Sequence, residues 1–446
     1  MTNRSLRGDR PAYRFILPLA CALGVLNGSA ARAEAVYDTD RVTLELFGIL
    51  DVGVGYLAHS YSGSDLLAST INPYNLNASP NSFTGMYSGG ASMSRIGLRG
   101  ESEFGTGQKV FFRVESAINV TSGNLSNNGQ AIYDNINRLQ TANSASAING
   151  QLFSRASYLG VSDPAFGSLE AGRTTNFALE QVARFDPLQA ALLYSPLGYS
   201  GGIGGGLGAT ENSRLDNSLK YENRYESKLS GLDFGAQYKF KGGQNSQSAG
   251  YAWVAMLGYE NGPLSVRGTL SETTNSVSWP VQYSNVVAPD ALVQVENTKG
   301  YMVTAMYKAG SATAKAGYES LTVWAPSNRH LDVQDYFGII LPKPSQNAAG
   351  EQLFEVFWIG GDYHFTPKFS LSVGFYDIDT YNSPEAGKAY WAQAYSLLAD
   401  YTFTQRFDVY LGVMVMEYSG LGLDKHSPAD AYSSNGMYGV GMRFRF

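Results

Sequence analysis

The last ten residues of the chain alternate between apolar positions and small or charged positions. Tyr438, Val440, Met442, Phe444 and Phe446 fall on one parity, and glycines and arginines fall on the other. Because successive residues of a β-strand point to opposite faces of a sheet, this segment predicts a strand with one apolar and one polar face. Such a strand can face lipid on one side and water on the other.

The same alternation recurs in sixteen segments and predicts sixteen antiparallel strands. The clearest segments are Val42–Tyr56, Ser94–Phe104, Lys109–Asn119, Leu232–Lys241, Tyr251–Glu260, Lys368–Asp377, Ala392–Phe403, Phe407–Tyr418 and Met437–Phe446. Weaker segments are Phe153–Val161, Ser168–Arg173, Leu215–Arg224, Leu264–Ser271, Tyr301–Lys308, Ala312–Leu321 and Phe354–Phe365.

The connections between these segments are short and long in turn. Short turns occur at Gly105–Gly107, Pro164–Gly167, Asn261–Pro263, Ala309–Gly310, Thr366–Pro367 and Thr404–Gln405. Long polar stretches occur at 58–90, 121–151, 174–214, 272–299, 323–352, 380–391 and 419–435. An up-and-down barrel has short periplasmic turns and long outer loops. The sequence therefore predicts an all-β fold, a 16-stranded antiparallel transmembrane up-and-down β-barrel over residues 34–446.

Aromatic side chains gather beside the short turns, as in the girdle at a membrane interface. They are Phe104, Phe166, Tyr225, Tyr259, Tyr307, Phe365, Phe369, Phe403, Phe407 and Phe446. The alternative is the core of a soluble β-sandwich or propeller. It is disfavoured because soluble strands rarely need so many large apolar residues on one continuous face.

The N-terminal region has the pattern of a secretory signal. Arginines precede an apolar run, Phe15–Leu26, which leads into Ala31–Ala33. This run is too short to span a bilayer as a helix, which needs roughly 20 apolar residues. We therefore expect residues 1–33 to be a cleaved signal peptide. Lipidation at Cys21 is disfavoured because Pro18 stands where a lipoprotein signal has leucine.

Composition narrows the possible functions. Without residues 1–33 the chain keeps 27 Lys and Arg against 37 Asp and Glu and has no cysteine, so we expect no disulfide and no nucleic-acid partner. The four histidines, His59, His330, His364 and His426, show no zinc-ligand spacing, and no cofactor is expected. A Ser–His–acid hydrolase on the outer face of the barrel is disfavoured because His364 has inward parity. The glycine-rich stretch 201–208 lacks the Lys-Ser/Thr of a nucleotide-binding loop and predicts a flexible loop.

Four motifs resemble those of the general porins of Gram-negative, especially β-proteobacterial, bacteria. They are Val42–Asp51, Ser94–Gly100 followed by Glu101 and Glu103, Leu152–Gly160 and Phe166–Arg173. The terminal Phe446 also resembles the last residue of outer-membrane barrels. The resemblance implies a sixteen-stranded homotrimeric barrel in the outer membrane, in contact with its lipids, whose third outer loop folds inward and narrows the pore. The chain departs from the family pattern in its long first loop and its glycine-rich third loop.

The candidate site residues are charged side chains of the predicted lumen. Alternation places Arg95, Arg99 and Arg113 on inward positions, and the resemblance does so for Arg155. Alternation would turn Arg173 towards lipid, whereas the resemblance turns it inward at the end of its strand. Facing these cations we expect the constriction loop, 174–214, with the acids Glu180 and Asp186 and with Arg184 between them.

Two roles remain open for each of these arginines. Facing acids and bases would set a field across a narrow water-filled pore. Alternatively, each arginine forms a salt bridge that pins the inward loop to the wall. We expect a non-enzymatic outer-membrane porin that passes small hydrophilic solutes and ions through an arginine-lined constriction. A substrate-selective channel for anions or organic acids and a plugged structural or adhesive barrel are the alternatives.

Overall fold

The computed structural model describes residues 34–38, 42–58, 82–123, 125, 152–197, 214–224, 231–240, 250–278, 294–324, 335–336, 339–340, 352–381, 390–419 and 434–446. The predicted signal peptide, the glycine-rich stretch 201–208, Tyr225 and three of the four histidines lie outside these residues. Among the residues that are described, no helix is long and apolar enough to cross a membrane.

The first half of the described chain contains nine strands and a helix. They are β1 (Glu34–Asp38), β2 (Val42–Leu57), β3 (Phe83–Ser88), β4 (Arg95–Glu103), β5 (Lys109–Ala117), β6 (Ala156–Asp163), β7 (Gly167–Thr175), α1 (Phe177–Phe185), β8 (Arg214–Arg224) and β9 (Leu232–Lys239). The second half continues with strands. They are β10 (Ala252–Asn261), β11 (Leu264–Ser278), β12 (Gln294–Ala309), β13 (Ala312–Trp324), β14 (Asp335–Tyr336), β15 (Ile339–Ile340), β16 (Gln352–Thr366), β17 (Phe369–Tyr381), β18 (Tyr390–Thr404), β19 (Phe407–Ser419) and β20 (Ser434–Arg445).

The sheet closes on itself as a sixteen-position antiparallel barrel. From β4 to β20 each barrel strand pairs with the next barrel strand in sequence, with β13 pairing directly with β16. Strand β2 closes the barrel by pairing with β4 on one side and with β20 on the other. Two barrel positions consist of two strands each, β3 with β4 and β20 with β1, since both members of each pair lie along the same edge of β2. Strands β14 and β15 form a separate two-stranded sheet. The predicted barrel class and all sixteen predicted strand segments are confirmed.

Alternation separates the two faces of the wall. In β10 the side chains of Ala255, Leu257 and Tyr259 are exposed on the outer face, whereas Val254 and Met256 are buried on the inner face. Because a bilayer interior offers no hydrogen-bond partners, a closed barrel that pairs every strand edge is one of the few folds stable in it. The apolar outer residues then face lipid without cost.

Aromatic residues ring the end of the barrel that carries the short turns. Phe365 stacks on Phe369 and Phe403 on Phe407, each with ring centroids 5.5 Å apart. Phe104 and Phe166 are highly exposed at two further turns. These positions form the interfacial girdle of a transmembrane barrel.

The second barrel position is interrupted, which the sequence did not predict. The chain leaves the wall after β3, and β4 resumes at Arg95. The carboxylate of Asp51 accepts backbone N–H groups from Gly90, Ala91 and Ser92, at 3.2, 3.0 and 2.7 Å. The acid thereby satisfies three donors that the sheet ladder would otherwise have paired.

Candidate functional site

A segment of the chain folds into the barrel instead of bridging its strands at the rim. Residues 176–197, here called the inner segment, begin directly after β7 and include the nine-residue helix α1. The side chain of Asn176 accepts from the N–H of Ala178 at 2.9 Å and caps the helix. Glu180 lies in the first turn and Arg184 in the last, as the helix dipole favours.

The helix lies against the inner faces of β10 to β13. Gln181 is fully buried there, and its Nε2 donates to the carbonyl of Arg267 at 3.0 Å and to the Thr304 hydroxyl at 3.1 Å. The Thr269 hydroxyl donates to its Oε1. One amide thus connects the helix to two neighbouring strands, β11 and β12.

The end of the helix is fixed to β13, β16 and β17. The indole of Trp358 donates to the carbonyl of Phe185 at 3.2 Å, which satisfies an acceptor that the helix leaves open. The Lys315 ammonium donates to the Asp186 carbonyl at 3.0 Å, and the Tyr376 hydroxyl donates to the Asp186 carboxylate at 2.6 Å. These are side-chain bonds to a segment at least 129 residues away in sequence.

The far end of the inner segment reaches the strands where the barrel closes. The hydroxyls of Tyr194 and Tyr87 are 3.0 Å apart, and the Tyr194 ring meets the Tyr410 ring edge-on. The N–H of Leu193 donates to the carbonyl of Gly90 at 3.0 Å. The inner segment therefore follows the inner wall from β7 round to the interruption between β3 and β4.

The wall on β4 to β6 carries a cluster of arginines around one acid. Glu115 is buried, and its carboxylate accepts from Arg113 Nε at 2.9 Å and from Arg155 Nε. Arg95 Nε lies 3.5 Å from the same carboxylate. Three guanidinium groups, each charged at neutral pH, thus share one carboxylate, and the four side chains together are net positive. We call Arg95, Arg113, Glu115 and Arg155 the arginine wall.

The side chain of Arg173 is turned away from the lipid face because its strand is bulged. The register of β7 against β8 shifts between Gly172 and Thr174, and Gly172 has φ +135°. The bulge shifts the side-chain parity, so Arg173 is buried, bonds the Ser154 carbonyl at 2.7 Å and pairs with Asp216. The Arg173 side chain is therefore not on the lipid face, where simple alternation would place it.

Two further arginines adjoin the wall. Arg99 stands directly opposite Arg113 in the β4–β5 register and pairs with Glu45 at 2.5 Å. Both guanidinium groups lie over the Phe47 ring, at 5.4 Å for Arg99 and 4.6 Å for Arg113. Arg214, the first residue of β8, donates from Nε to the Arg155 carbonyl at 2.7 Å. Sequence reasoning missed Arg214, since it was placed at the end of the expected loop, and Glu115, whose inward parity could have revealed it.

The charged residues of the inner segment form ion pairs or hydrogen bonds with residues of the barrel strands. Glu180 pairs with Lys220 and is buried with it, and Arg184 pairs with Glu260. Asp186 is fully buried, and this burial raises the pKa of its carboxyl group above the ordinary value. The contacts of these three residues anchor the inner segment to β8, β10, β13 and β17.

Comparison with known proteins agrees with this architecture. The profile of the Gram-negative porin family matches residues 20–421. An outer membrane porin protein of Bordetella pertussis is 25% identical over 391 residues, which cover 78% of this chain and 91% of that protein. Outer membrane porin protein 32 of Delftia acidovorans is 28% identical over 261 residues, 57% of this chain and 60% of that protein.

Solved structures show the same fold. An anion-selective porin from Comamonas acidovorans superimposes with a TM-score of 0.60 at 19% identity, covering 91% of this chain and all of that one. The trimer form of the Vibrio cholerae outer membrane protein OmpT gives 0.58 at 17% identity, with the same coverage of this chain and 100% of its own. The chain therefore belongs to the Gram-negative porin family and is a β-barrel channel protein of the outer membrane.

Proposed function

We propose that the chain is a passive diffusion channel for small hydrophilic solutes and ions, with a constriction lined by the arginine wall. The observation that carries this proposal is the sharing of Glu115 among Arg95, Arg113 and Arg155. A net positive group on the inner wall lowers the energy of an anion beside it and raises that of a cation. The name of the Comamonas porin, anion-selective, supports the same direction.

The reversal potential in a salt gradient tests the proposal. Arg95 and Arg155 are the most exposed arginines of the wall, with side-chain exposures of 13% and 18%. Pure protein in a planar bilayer should show stepwise conductance and a preference for chloride over potassium. The double substitution Arg95→Gln with Arg155→Gln should move the reversal potential towards the potassium equilibrium value. Arg184→Gln, on the inner segment, is the matched control and should move it less.

Flux and conductance measurements also test two alternative functions. Saturable flux of one organic anion, with little flux of neutral sugars, would favour a substrate-selective channel. A barrel that folds but carries no current would favour a plugged structural or adhesive protein. The proposed function itself assigns no catalytic group and no cofactor.

We also propose that the channel is a homotrimer and that residues 1–33 are removed during export. The trimer form of the Vibrio cholerae protein supports the first point, and the basic and apolar pattern of the leader supports the second. Native mass spectrometry of protein extracted from the outer membrane tests both. A mass of three chains, each starting after Ala33, is the expected result.

A further inference from the structure

Two pairs of glycines face each other on the inner wall. Gly360 of β16 is directly opposite Gly374 of β17, and Gly412 of β19 is directly opposite Gly439 of β20. A glycine inside a strand weakens the strand, because its backbone loses more conformational entropy on folding and it has no side chain to pack. A position that keeps glycine on both strands therefore indicates that a neighbouring group approaches the backbone closely.

Both pairs lie beneath the inner segment. A Cβ atom built on Gly360 would overlap the Val373 carbonyl oxygen and come within 2.8 Å of Pro187 Cγ. One on Gly374 would come within 2.8 Å of both Leu188 Cδ1 and the Tyr376 hydroxyl. A Cβ on Gly439 would come within 2.5 Å of the Tyr194 hydroxyl, and one on Gly412 would enter the ring of the same tyrosine. Real Cβ atoms essentially never come within 3.0 Å of another heavy atom, so a side chain added at these positions forces a neighbouring group to move.

A fifth glycine repeats the arrangement at the start of the inner segment. A Cβ on Gly235 of β9 would overlap the ring of Phe177, the first residue of α1. The inner segment thus touches glycine near its start, in its middle and near its end. Gly258 of β10 is an inner-wall glycine without this contact, because the atoms nearest to its Cβ position, at 3.4 to 3.5 Å, belong to Asp233 and Val266.

We infer that Gly235, Gly360, Gly374, Gly412 and Gly439 are specificity-determining positions of the channel. Because these residues have no side chains, the inner segment lies directly on the wall. The closeness of this approach sets the width of the pore between the inner segment and the arginine wall. The inference rests on the proposed function, since it concerns the passage through which solutes would diffuse.

The barrel wall is held by strand pairing on both sides, so we expect an added side chain to displace the inner segment and not the wall. Gly412 is paired on both edges, with Leu398 of β18 and with Gly439. The Tyr194 ring is instead a side chain on a connecting segment, held by packing and by its bond to the Tyr87 hydroxyl. A valine at 412 would therefore displace Tyr194 and the end of the inner segment into the lumen.

Single-channel conductance of Gly412→Val and Gly374→Val, beside Gly258→Val, tests the inference. The control adds the same volume to the inner wall outside the inner segment. Both test variants should lose about half of the wild-type conductance, because ion flux falls with the open cross-section, whereas the control should stay near wild type. In liposome swelling they should also exclude sugars that the control admits.

A second substitution distinguishes a steric effect of the added valine from general misfolding of the barrel. Adding Tyr194→Ala to Gly412→Val removes the displaced ring, so the double variant should regain the conductance of Tyr194→Ala alone. If valine prevents folding, Gly412→Ala and Gly374→Ala add one carbon each and replace the valine variants. Test variants that conduct like the control, or a double variant that stays as low as Gly412→Val, would overturn the inference. A folded wild-type barrel without current would overturn the proposed function instead.

Discussion

The Tyr410 hydroxyl donates a hydrogen bond of 2.5 Å to the carboxylate of Asp51, 359 residues earlier in the chain. The two residues lie on β19 and β2, on either side of β20. Asp51 also holds the backbone of the interruption between β3 and β4. One buried carboxylate therefore links the strands at which the barrel closes with the interruption that the inner segment contacts.

Asp51→Ala should destabilise the barrel more than the removal of any one of its hydrogen-bond donors. It leaves the Tyr410 hydroxyl and three buried backbone N–H groups without their acceptor, at about 1–3 kcal/mol for each buried donor that stays unsatisfied. Urea unfolding in detergent, followed by tryptophan fluorescence, measures the change in unfolding free energy. Tyr410→Phe removes one donor and should cost about 1–2 kcal/mol. Equal losses for the two variants would contradict this account.

Gly172→Ala should impair insertion of the barrel. Gly172 has φ +135°, and an added Cβ would overlap the Ser157 carbonyl, so the bulge could not form. Without the bulge Arg173 would point towards lipid, where an arginine costs between about 0–1 kcal/mol near an interface and about 2–4 kcal/mol at the bilayer midplane. The folded fraction in lipid vesicles, read from the heat-modifiable gel shift, should fall. Gly268→Ala, whose Cβ position has no neighbour closer than 3.9 Å, should fold normally.

Glu115→Gln should strengthen the preference for anions. The glutamine keeps an acceptor oxygen for Arg113 and Arg155 but removes the negative charge that the arginines share. The reversal potential in a potassium chloride gradient should therefore move further towards the chloride equilibrium value. Glu101→Gln is the control, because Glu101 is 40% exposed and pairs with Lys109. No difference between the two variants would show that the arginine wall does not set selectivity.

Gln181→Leu should loosen the inner segment without changing its backbone. Leucine fills a similar volume but leaves the Thr269 hydroxyl without its amide acceptor, at about 1–3 kcal/mol for an unsatisfied buried group. It also removes the amide donor from the Arg267 carbonyl and the Thr304 hydroxyl, which still bond each other at 3.3 Å. We expect more open-channel noise and additional conductance levels in bilayer recordings. Arg184→Gln, on the same helix, removes only an ion pair with Glu260 whose side chains are 30% and 47% exposed, so it should add less noise than Gln181→Leu.

The docking of the inner segment should weaken as the pH rises. Burial raises the pKa of Asp186, so the folded state binds a proton more tightly than the unfolded chain does. The stability that this bound proton gives to the folded state is fully present when the pH is below the ordinary aspartate pKa. It is lost as the pH rises through the raised pKa of Asp186. Open-channel noise should increase over that range. Asp186→Asn is neutral at every pH and should show a smaller pH dependence; an unchanged dependence would exclude this group.

The strands were predictable because their signal is local. Every predicted segment, weak ones such as Ser168–Arg173 included, overlaps a barrel strand, since the alternation needs only neighbouring residues. Alternation failed at Arg173, where one glycine with a positive φ shifts the parity. It also could not show β3, which lies inside a stretch interpreted as a loop.

The inner segment was harder to foresee. Helix α1 was not predicted, although Asn176, Glu180 and Arg184 carry the cap and charge pattern of a helix. The contacts of Glu180 and Asp186 join residues 40 and 190 positions apart, which no local pattern reveals. Both acids were expected to face the arginines across the lumen, whereas the structure buries them against the wall that the inner segment covers.

The meeting of β20 and β1 along β2 has a consequence for chain connectivity. Phe446 is hydrogen-bonded to Gly48 in both directions, and Glu34 pairs with Leu46. Both strands run antiparallel to β2, so β20 and β1 run in the same direction. A linker of a single residue opposite Phe47 would join the two into one uninterrupted strand. Once residues 1–33 are removed, as we propose, such a linker would close the chain into a ring, and a circular permutant could be opened at one of the short turns.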